Sequence, residues 1–533
     1  MNAFAGTAFL VRFDLRRDRI RLPLWVIGIS ALAAYFVAAL RLAYPDTEDL
    51  RSVAGFADNP AGVMMSGPGY GMDDPTLEAF VANQYGLYLL VAAGFMNILL
   101  VVRHTRGEEE NGRTELVLAG QVGRRAPLTA ALVTALVANA ALVVAGGAAM
   151  TAAGVDAGGA VLFAAGFAAL GLFFAALTAL VCQVCEHART ATGLAAAALG
   201  TAFVVRGVGD VLERHGSAVS WLSPIAWSQQ TRAFVDPRWG PLALSFGFAA
   251  VAAAAAYRVV DRRDLGAGLV PPRPGRDEAA PALATPFALA LRLQRGSIAG
   301  WGTGLALTGL FYGSLTGSIA ESFANLPEDI LVLMGGSTAN LVDGFLGLTG
   351  YTMAFLASCF AILSVRRLRS EEQSGRIEPV LATATGRAGW MAAGLSVTAL
   401  GVVALLALAG LGTGLGAAAS PGEPIRVAAS VWALLGYVPA VLGVAAIAAA
   451  LFGLVPRAFD LVWVLVVYGY LVGSFGPILD LPGSAGALSP LNHVRQMPLE
   501  PFAAGSFVAL VVLAALVTAA GLAAFRRRDL RSA

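Results

Sequence analysis

Arg106-Gly-Glu-Glu-Glu-Asn-Gly-Arg-Thr-Glu-Leu-Val-Leu-Ala-Gly-Gln-Val-Gly-Arg124 returns 263 positions later as Arg369-Ser-Glu-Glu-Gln-Ser-Gly-Arg-Ile-Glu-Pro-Val-Leu-Ala-Thr-Ala-Thr-Gly-Arg387, with 11 of 19 positions identical. Other marks recur in the same order. Leu222-Ser-Pro224 returns as Leu488-Ser-Pro490 and Arg263-Asp-Leu265 as Arg528-Asp-Leu530, while Arg16, Arg19 and Trp25 correspond to Arg292, Arg295 and Trp301. Chance does not keep the order of separate matches. The chain therefore reads as two copies of one unit, 1–261 and 286–533, joined by a Pro- and Arg-rich linker, 262–285.

Between these marks the apolar residues come in blocks of about twenty, long enough to cross a hydrocarbon core of ~30 Å. Twelve spans are expected, at 24–43, 83–102, 127–150, 158–182, 189–206, 240–259, 299–317, 345–365, 389–415, 427–453, 459–475 and 503–525. Six per half is an even number, so both copies would share one topology about a pseudo-two-fold axis along the membrane normal. The expected fold is an all-α integral membrane protein. Composition agrees: the 533 residues are 57% hydrophobic and 13% charged, against roughly 25% charged in a soluble chain. A net charge of +2 gives no electrostatic footprint for nucleic acid. All 36 basic residues are arginine. With no lysine, neither a Schiff base nor a phosphate-loop lysine can exist in this chain. Cys182, Cys185 and Cys359 are too few for a disulfide framework.

The arginines give an orientation. With the N-terminus inside, 28 of them fall in 1–22, 103–125, 258–295, 366–387, 526–531 and the turns at Arg189 and Arg457. Six fall on the other side: Arg51, Arg214, Arg232, Arg238, Arg426 and Arg495. Both termini are expected in the cytoplasm of a bacterial plasma membrane. The first outer loop is acidic instead, with Asp46, Glu48, Asp49, Asp58, Asp73, Asp74 and Glu78. Residues 3–21 precede a stretch too long for a signal peptide and read as a helix on the inner membrane surface. There Arg12, Arg16 and Arg19 would snorkel between two apolar stripes.

The repeated segments, 103–125 and 366–388, are the most charged stretches of their halves. A plain solvated loop would have little reason to retain Val117, Leu118 and Ala119 as Val380, Leu381 and Ala382. We expect a glycine-turned helix on the membrane surface that offers Glu108, Glu109, Gly112, Arg113 and Glu115, and in the second copy Glu371, Glu372, Gly375, Arg376 and Glu378, to another protein.

Glu-Glu-x-x-Gly-Arg-x-Glu-x-Val-Leu-Ala resembles the signature of type-2 ATP-binding-cassette (ABC) exporter permeases, and the surface helix, six spans and Leu-Ser-Pro fit it as well. The double length is similar to actinobacterial exporters of polyketide antibiotics and other drugs. The resemblance implies that these segments dock on an ATPase. That ATPase must be a separate polypeptide, in two copies, and would itself bind the ATP and Mg. Arg113 and Arg376 stand where many members have threonine. Pro379 would alter the start of the second helix, so the two coupling surfaces need not be equivalent. The resemblance also implies that the second and fifth spans of each half line the cargo route. Tyr88, Phe95, Phe203 and Arg206 are the candidates in the first half, and Tyr351, Phe355, Trp463 and Tyr470 in the second. Such aromatic faces suit a bulky hydrophobic or amphipathic compound. Ordinary helix contacts would give the same stripes. Arg206 stands apart, as a charge near a span that Asp210, one turn on, could pair.

Two other motifs carry less. Cys182-x-x-Cys185 lacks a second ligand pair, so no metal is expected. Gly207-Val-Gly-Asp210 resembles an intramembrane aspartyl protease, but its one facing candidate, Asp460, is expected at the opposite membrane face. No catalytic residue is expected. The leading reading is the permease of an ATP-driven exporter. The alternatives are an ion-coupled twelve-span transporter, which would need buried acids, and a membrane enzyme or anchor.

Overall fold

Caps and prolines set where the helices begin. Thr76 accepts a hydrogen bond from Ala79 N (3.2 Å), Asp156 from Gly159 N (2.8 Å) and Thr285 from Ala288 N (3.2 Å), each satisfying an otherwise orphaned first-turn donor. Pro224 and Pro286 open their helices, where a missing N–H loses nothing. The computed structural model describes residues 2–44, 50–51, 60–270, 277–317, 319–320, 338–419, 427–475 and 482–529. Asp46, Glu48, Asp49, Asp58, Arg426 and part of the linker lie outside them. Two units emerge, Met1–Gly275 and Arg276–Ala533.

The first unit contains α1 (Thr7–Arg17), α2 (Arg21–Ala43), α3 (Pro60–Met65), α4 (Leu77–His104), α5 (Arg106–Glu110), α6 (Arg113–Leu118), α7 (Ala126–Ala152), α8 (Ala157–Val184), α9 (Ala188–Leu212), α10 (Pro224–Gln229) and α11 (Leu242–Val260). The second contains α12 (Pro286–Ser314), α13 (Thr338–Gln373), α14 (Glu378–Leu381), α15 (Arg387–Ala418), α16 (Val427–Leu435), α17 (Val438–Leu454), α18 (Leu461–Phe475) and α19 (Ala504–Arg527). No strand occurs among the described residues. With α16 and α17 taken as one, 11 helices among the described residues are long and apolar enough to cross a membrane.

The expected span 299–317 is the one that falls short. It lies in α12, where Gly300, Gly302, Gly304, Gly309 and Gly313 dilute the apolar run. The expected surface helix 3–21 is narrower, as α1; its Arg12 and Arg16 are exposed, as is Arg19 in the turn beyond it. Residues 262–270, read as the start of the linker, belong instead to the first unit. Leu269 and Val270 donate backbone hydrogen bonds to Gln183 and Val184 at the end of α8.

In the first unit α8 is enclosed by α4, α7 and α11. A buried amide pair holds α4 to α7. Asn97 Nδ2 donates to Asn139 Oδ1 (3.2 Å) and Asn139 Nδ2 to Asn97 Oδ1 (2.7 Å), with Gly171 of α8 leaving room for both. Replacing Asn97 by valine strands the Asn139 amide and should cost about 1–2 kcal/mol, measured as the midpoint of SDS-driven unfolding. The Asn97→Val/Asn139→Val double variant should recover most of that loss.

In the second unit α12 and α15 touch backbone to backbone. A Cβ at Gly309 or Gly313 would strike the Ala409 or Thr413 carbonyl, and one at Gly412 or Gly416 the Ala306 or Leu310 carbonyl. Gly410 and Gly414 on the next face of α15 receive Val431 and Val427 of the span's first part, α16. The Gly-rich run 410–416 thus serves two neighbours, because small residues let helices approach where lipid supplies no hydrophobic drive. That span breaks after Leu435, where Pro439 cannot donate to the Leu435 carbonyl.

Candidate functional site

The repeated segment follows α4 in the first unit and α13 in the second. Both copies turn on a glycine in the left-handed region, Gly112 at φ 68° and Gly375 at φ 71°, where a side chain would be strained. After the turn, α6 has six residues and α14 four. The shortening follows Pro379, which stands at the second position of α14.

The glutamates divide into two kinds. Glu109 is turned inward. Its carboxylate meets Arg106 (2.8 Å) and, at close range, Arg263 of the turn after α11. Arg106 is fully buried and also donates to the Cys182 carbonyl (Nη2, 2.7 Å) and the Ala267 carbonyl (3.1 Å). Arg263 donates from Nε to Gln183 Oε1 (2.8 Å). The second copy repeats the arrangement with its own residues. Glu372 is 3% exposed and meets Arg528 at 2.7 Å, and Arg528 also lies over the Phe452 and Phe525 rings at 5.3 and 5.1 Å. Arg124 and Arg387 close each lock by donating to the Arg263 and Arg528 carbonyls.

Glu109 and Glu372 were expected to be offered outward. Burial instead obliges each carboxylate to pair with a guanidinium of its own unit. Glu108 pairs with Arg17 of the surface helix (2.7 Å) and Arg113 (3.4 Å), and Glu371 pairs with Arg376 (2.9 Å). The exposed members are Arg113, Glu115, Arg376 and Glu378. Beside them Leu116, a large apolar side chain, is 78% exposed, and Pro379 occupies its place in the second copy.

Several anchors had no local signal in the sequence. His104, the last residue of α4, is buried between Asp14 (3.1 Å) and Asp18 (2.5 Å), and Arg103 also reaches Asp18 (3.0 Å). Glu110 accepts from the Ala188 amide (2.6 Å) at the start of α9. Arg125 at the head of α7 holds the Asp261 carboxyl below the usual carboxylate range through a bidentate contact. Recurrence of Arg263-Asp-Leu as Arg528-Asp-Leu was the one available clue to the lock.

Each unit also brings the two helices expected to line the cargo route side by side, α4 with α9 and α13 with α18. Tyr88 and Phe95 are exposed on α4, at 47% and 37%. Phe203 is half-buried, with the Arg206 guanidinium 5.4 Å from its ring centre. Arg206 does not face open space. It is fully buried, pairs with Asp210 (3.2 Å) and donates to the Val63 and Met64 carbonyls at the end of α3. Ser220 completes the Asp210 carboxylate at 2.6 Å. The Asp210 partner that the helical spacing offers Arg206 is the one it takes. In the second unit Tyr470 stacks on Tyr351 (5.9 Å) and tilts against Phe355 (4.3 Å). Tyr351 is buried and donates within reach of the Gly469 carbonyl and Asn492. Trp463 is half-buried against the apolar cluster around Phe452, on which Phe355 of the ladder also packs.

Cys182 and Cys185 are both buried, and burial pushes the Cys185 thiol up, away from the thiolate a metal would need. Asp210 and Asp460 lie in different units, and Asp460 is an exposed partner of Arg369 (3.6 Å).

Residues 11–259 and 283–526 match the family described as "Multidrug efflux system permease Rv1217c, C-terminal domain". The chain is also 35% identical, over 99% of its own length and 96% of the relative's, to the multidrug efflux system permease protein Rv1217c of Mycobacterium tuberculosis (strain ATCC 25618 / H37Rv). An all-helical, multi-pass architecture and a match over both units lead to one conclusion: the chain belongs to the family of Rv1217c-type multidrug efflux permeases.

Proposed function

We propose that this permease is the transmembrane subunit of a type-2 ABC exporter that moves hydrophobic or amphipathic compounds, drugs among them, out of the cell. Both termini and both repeated segments face the cytoplasm, and a separate ATPase, in two copies, docks beneath them. The observation that carries this reading is the repeated lock. Glu109 with Arg263, and Glu372 with Arg528, tie a short exposed helix to the far end of its own unit. Such a helix is a firm shelf, able to pass a push from a docked protein into the spans, where a loose loop would absorb it. Glu115 and Leu116 in one copy, and Glu378 in the other, form its outward edge. Membership of an efflux permease family and the lack of any lysine for a phosphate loop support the same assignment.

The purified chain should hydrolyse no ATP by itself. It should be recovered together with an ATPase when one is co-expressed from the neighbouring reading frame. Vanadate-sensitive hydrolysis by the chain alone would overturn the reading. Changing Glu115 and Glu378 to alanine should lower recovery of the complex and drug export severalfold, with membrane insertion intact because both side chains are exposed. Unchanged recovery and export would remove the shelf from the mechanism. An ion-coupled transporter would need a buried acid free to exchange its proton. Asp210, by contrast, is held by Arg206 and Ser220.

A further inference from the structure

At the end of the first unit away from the arginine-rich face, α4, α8 and α10 enclose a narrow cleft of about 520 Å³, its open mouth included. Leu90, Phe163, Phe167 and Phe234 give it apolar walls. Among the polar side chains that line it, three each have one atom with no partner: Asn83 Nδ2, Gln229 Oε1 and Arg232 Nε. Asn83 is only 6% exposed. An orphaned polar atom at such depth is costly, and three around one cleft call for a common cause.

The orientations of the two amides are fixed by their inner ends. Asn83 Oδ1 accepts from the Gly69 amide (3.0 Å), and Gln229 Nε2 donates to the Ser66 carbonyl (3.1 Å). Turning either amide over would set donor against donor or acceptor against acceptor, so the free atoms are a donor on Asn83 and an acceptor on Gln229. Arg232 adds a second donor. Its guanidinium lies 4.1 Å from the centre of the Tyr70 ring and donates to the Tyr70 hydroxyl (3.0 Å), while Tyr70 stacks on His215 at 4.9 Å. Both Arg232 (φ 47°) and His215 (φ 71°) hold a left-handed backbone that residues of their type rarely adopt. Strain of this kind persists where the surroundings enforce a geometry. The second copy has no such set: Leu346, Arg495 and Pro498 stand at the positions of Asn83, Gln229 and Arg232.

We propose that this cleft is a binding site for a neutral carboxamide head on an apolar or aromatic body. A carboxamide carbonyl takes the Asn83 and Arg232 donors, and its N–H donates to Gln229. A carboxylate would set its charge against the Gln229 oxygen, and an amine would leave both donors unmet. The site stands on the geometry of the first unit and needs neither ATPase nor transport, so it can fail without touching the export reading, and the converse holds.

The test uses the full chain alone in lipid nanodiscs without ATP, and a benzamide carrying a diazirine as photolabel. Label should enter peptides containing 82–90, 163–167 or 228–235, and benzamide should displace it at a concentration at least tenfold lower than acetophenone, benzoate or benzylamine. Asn83→Leu and Gln229→Met should each reduce labelling at least tenfold at equal protein. If neither variant reaches the membrane, the competitor series on the unaltered chain decides alone. Label spread evenly over lipid-facing helices, or equal displacement by acetophenone or benzoate, would overturn the proposal.

Discussion

Glu109→Ala should lose most of the folded permease. The substitution leaves Arg106 and Arg263, both buried, without the one carboxylate they share. Stranding a buried charge in this way costs about 3–5 kcal/mol, a large part of the roughly 5–15 kcal/mol that holds a typical domain together. The yield of folded protein in membranes and the midpoint of SDS unfolding should both drop. Glu372→Ala should cost less. Its partner Arg528 keeps a favourable place over the Phe452 and Phe525 rings. Equal losses in the two units would show that the carboxylates are not what holds the segments. Glu109→Met with Arg263→Met should restore part of the stability, since a buried pair replaced whole leaves less stranded charge than a pair cut in half.

The second large effect belongs to the contact between α12 and α15. Gly412→Ala puts a methyl group against the Ala306 carbonyl, and backbone cannot rotate away as a side chain can. Overpacking of this kind costs about 1–3 kcal/mol for one carbon, and Gly412→Leu should abolish folding. Gly300→Ala and Gly304→Ala, on the facing helix α12, are the controls. A Cβ at either meets open space, and exchanging glycine for the better helix former should be neutral or favourable by up to about 1 kcal/mol. Opposite signs within this one helix pair separate close contact from helix propensity. A uniform response at all three positions would mean that the two backbones do not touch.

Hydropathy and repetition made the membrane architecture legible, because apolar blocks and ordered motifs are properties of neighbouring residues. The span that fell short, 299–317, shows the limit of that signal. Glycine lowers hydropathy at the very positions where it permits the closest helix contact, so the criterion penalises what holds α12 in place. The repeated segment was legible as a surface helix, but the direction of each carboxylate was not. Glu109 and its partner Arg263 are 154 residues apart, and no local rule joins them. Arg206 with Asp210 could be anticipated at helical spacing, whereas the α3 carbonyls that complete its burial could not. The aromatic candidates divide likewise. Tyr351, Phe355 and Tyr470 come together, Trp463 packs on the neighbouring cluster that Phe355 also touches, and Tyr88 and Phe95 remain exposed.

The unequal helices after the two glycine turns bear on how an image of the assembled transporter would be reconstructed. A particle whose membrane part is one chain with two similar units invites averaging about a two-fold axis. That operation would superimpose six residues of α6 on four of α14, Leu116 on Pro379, and the cleft beside Asn83 on the leucine at 346. The resulting density would show an intermediate helix that neither unit contains and a half-occupied cleft. Only maps computed without imposed symmetry would preserve the differences between the two halves of this one polypeptide.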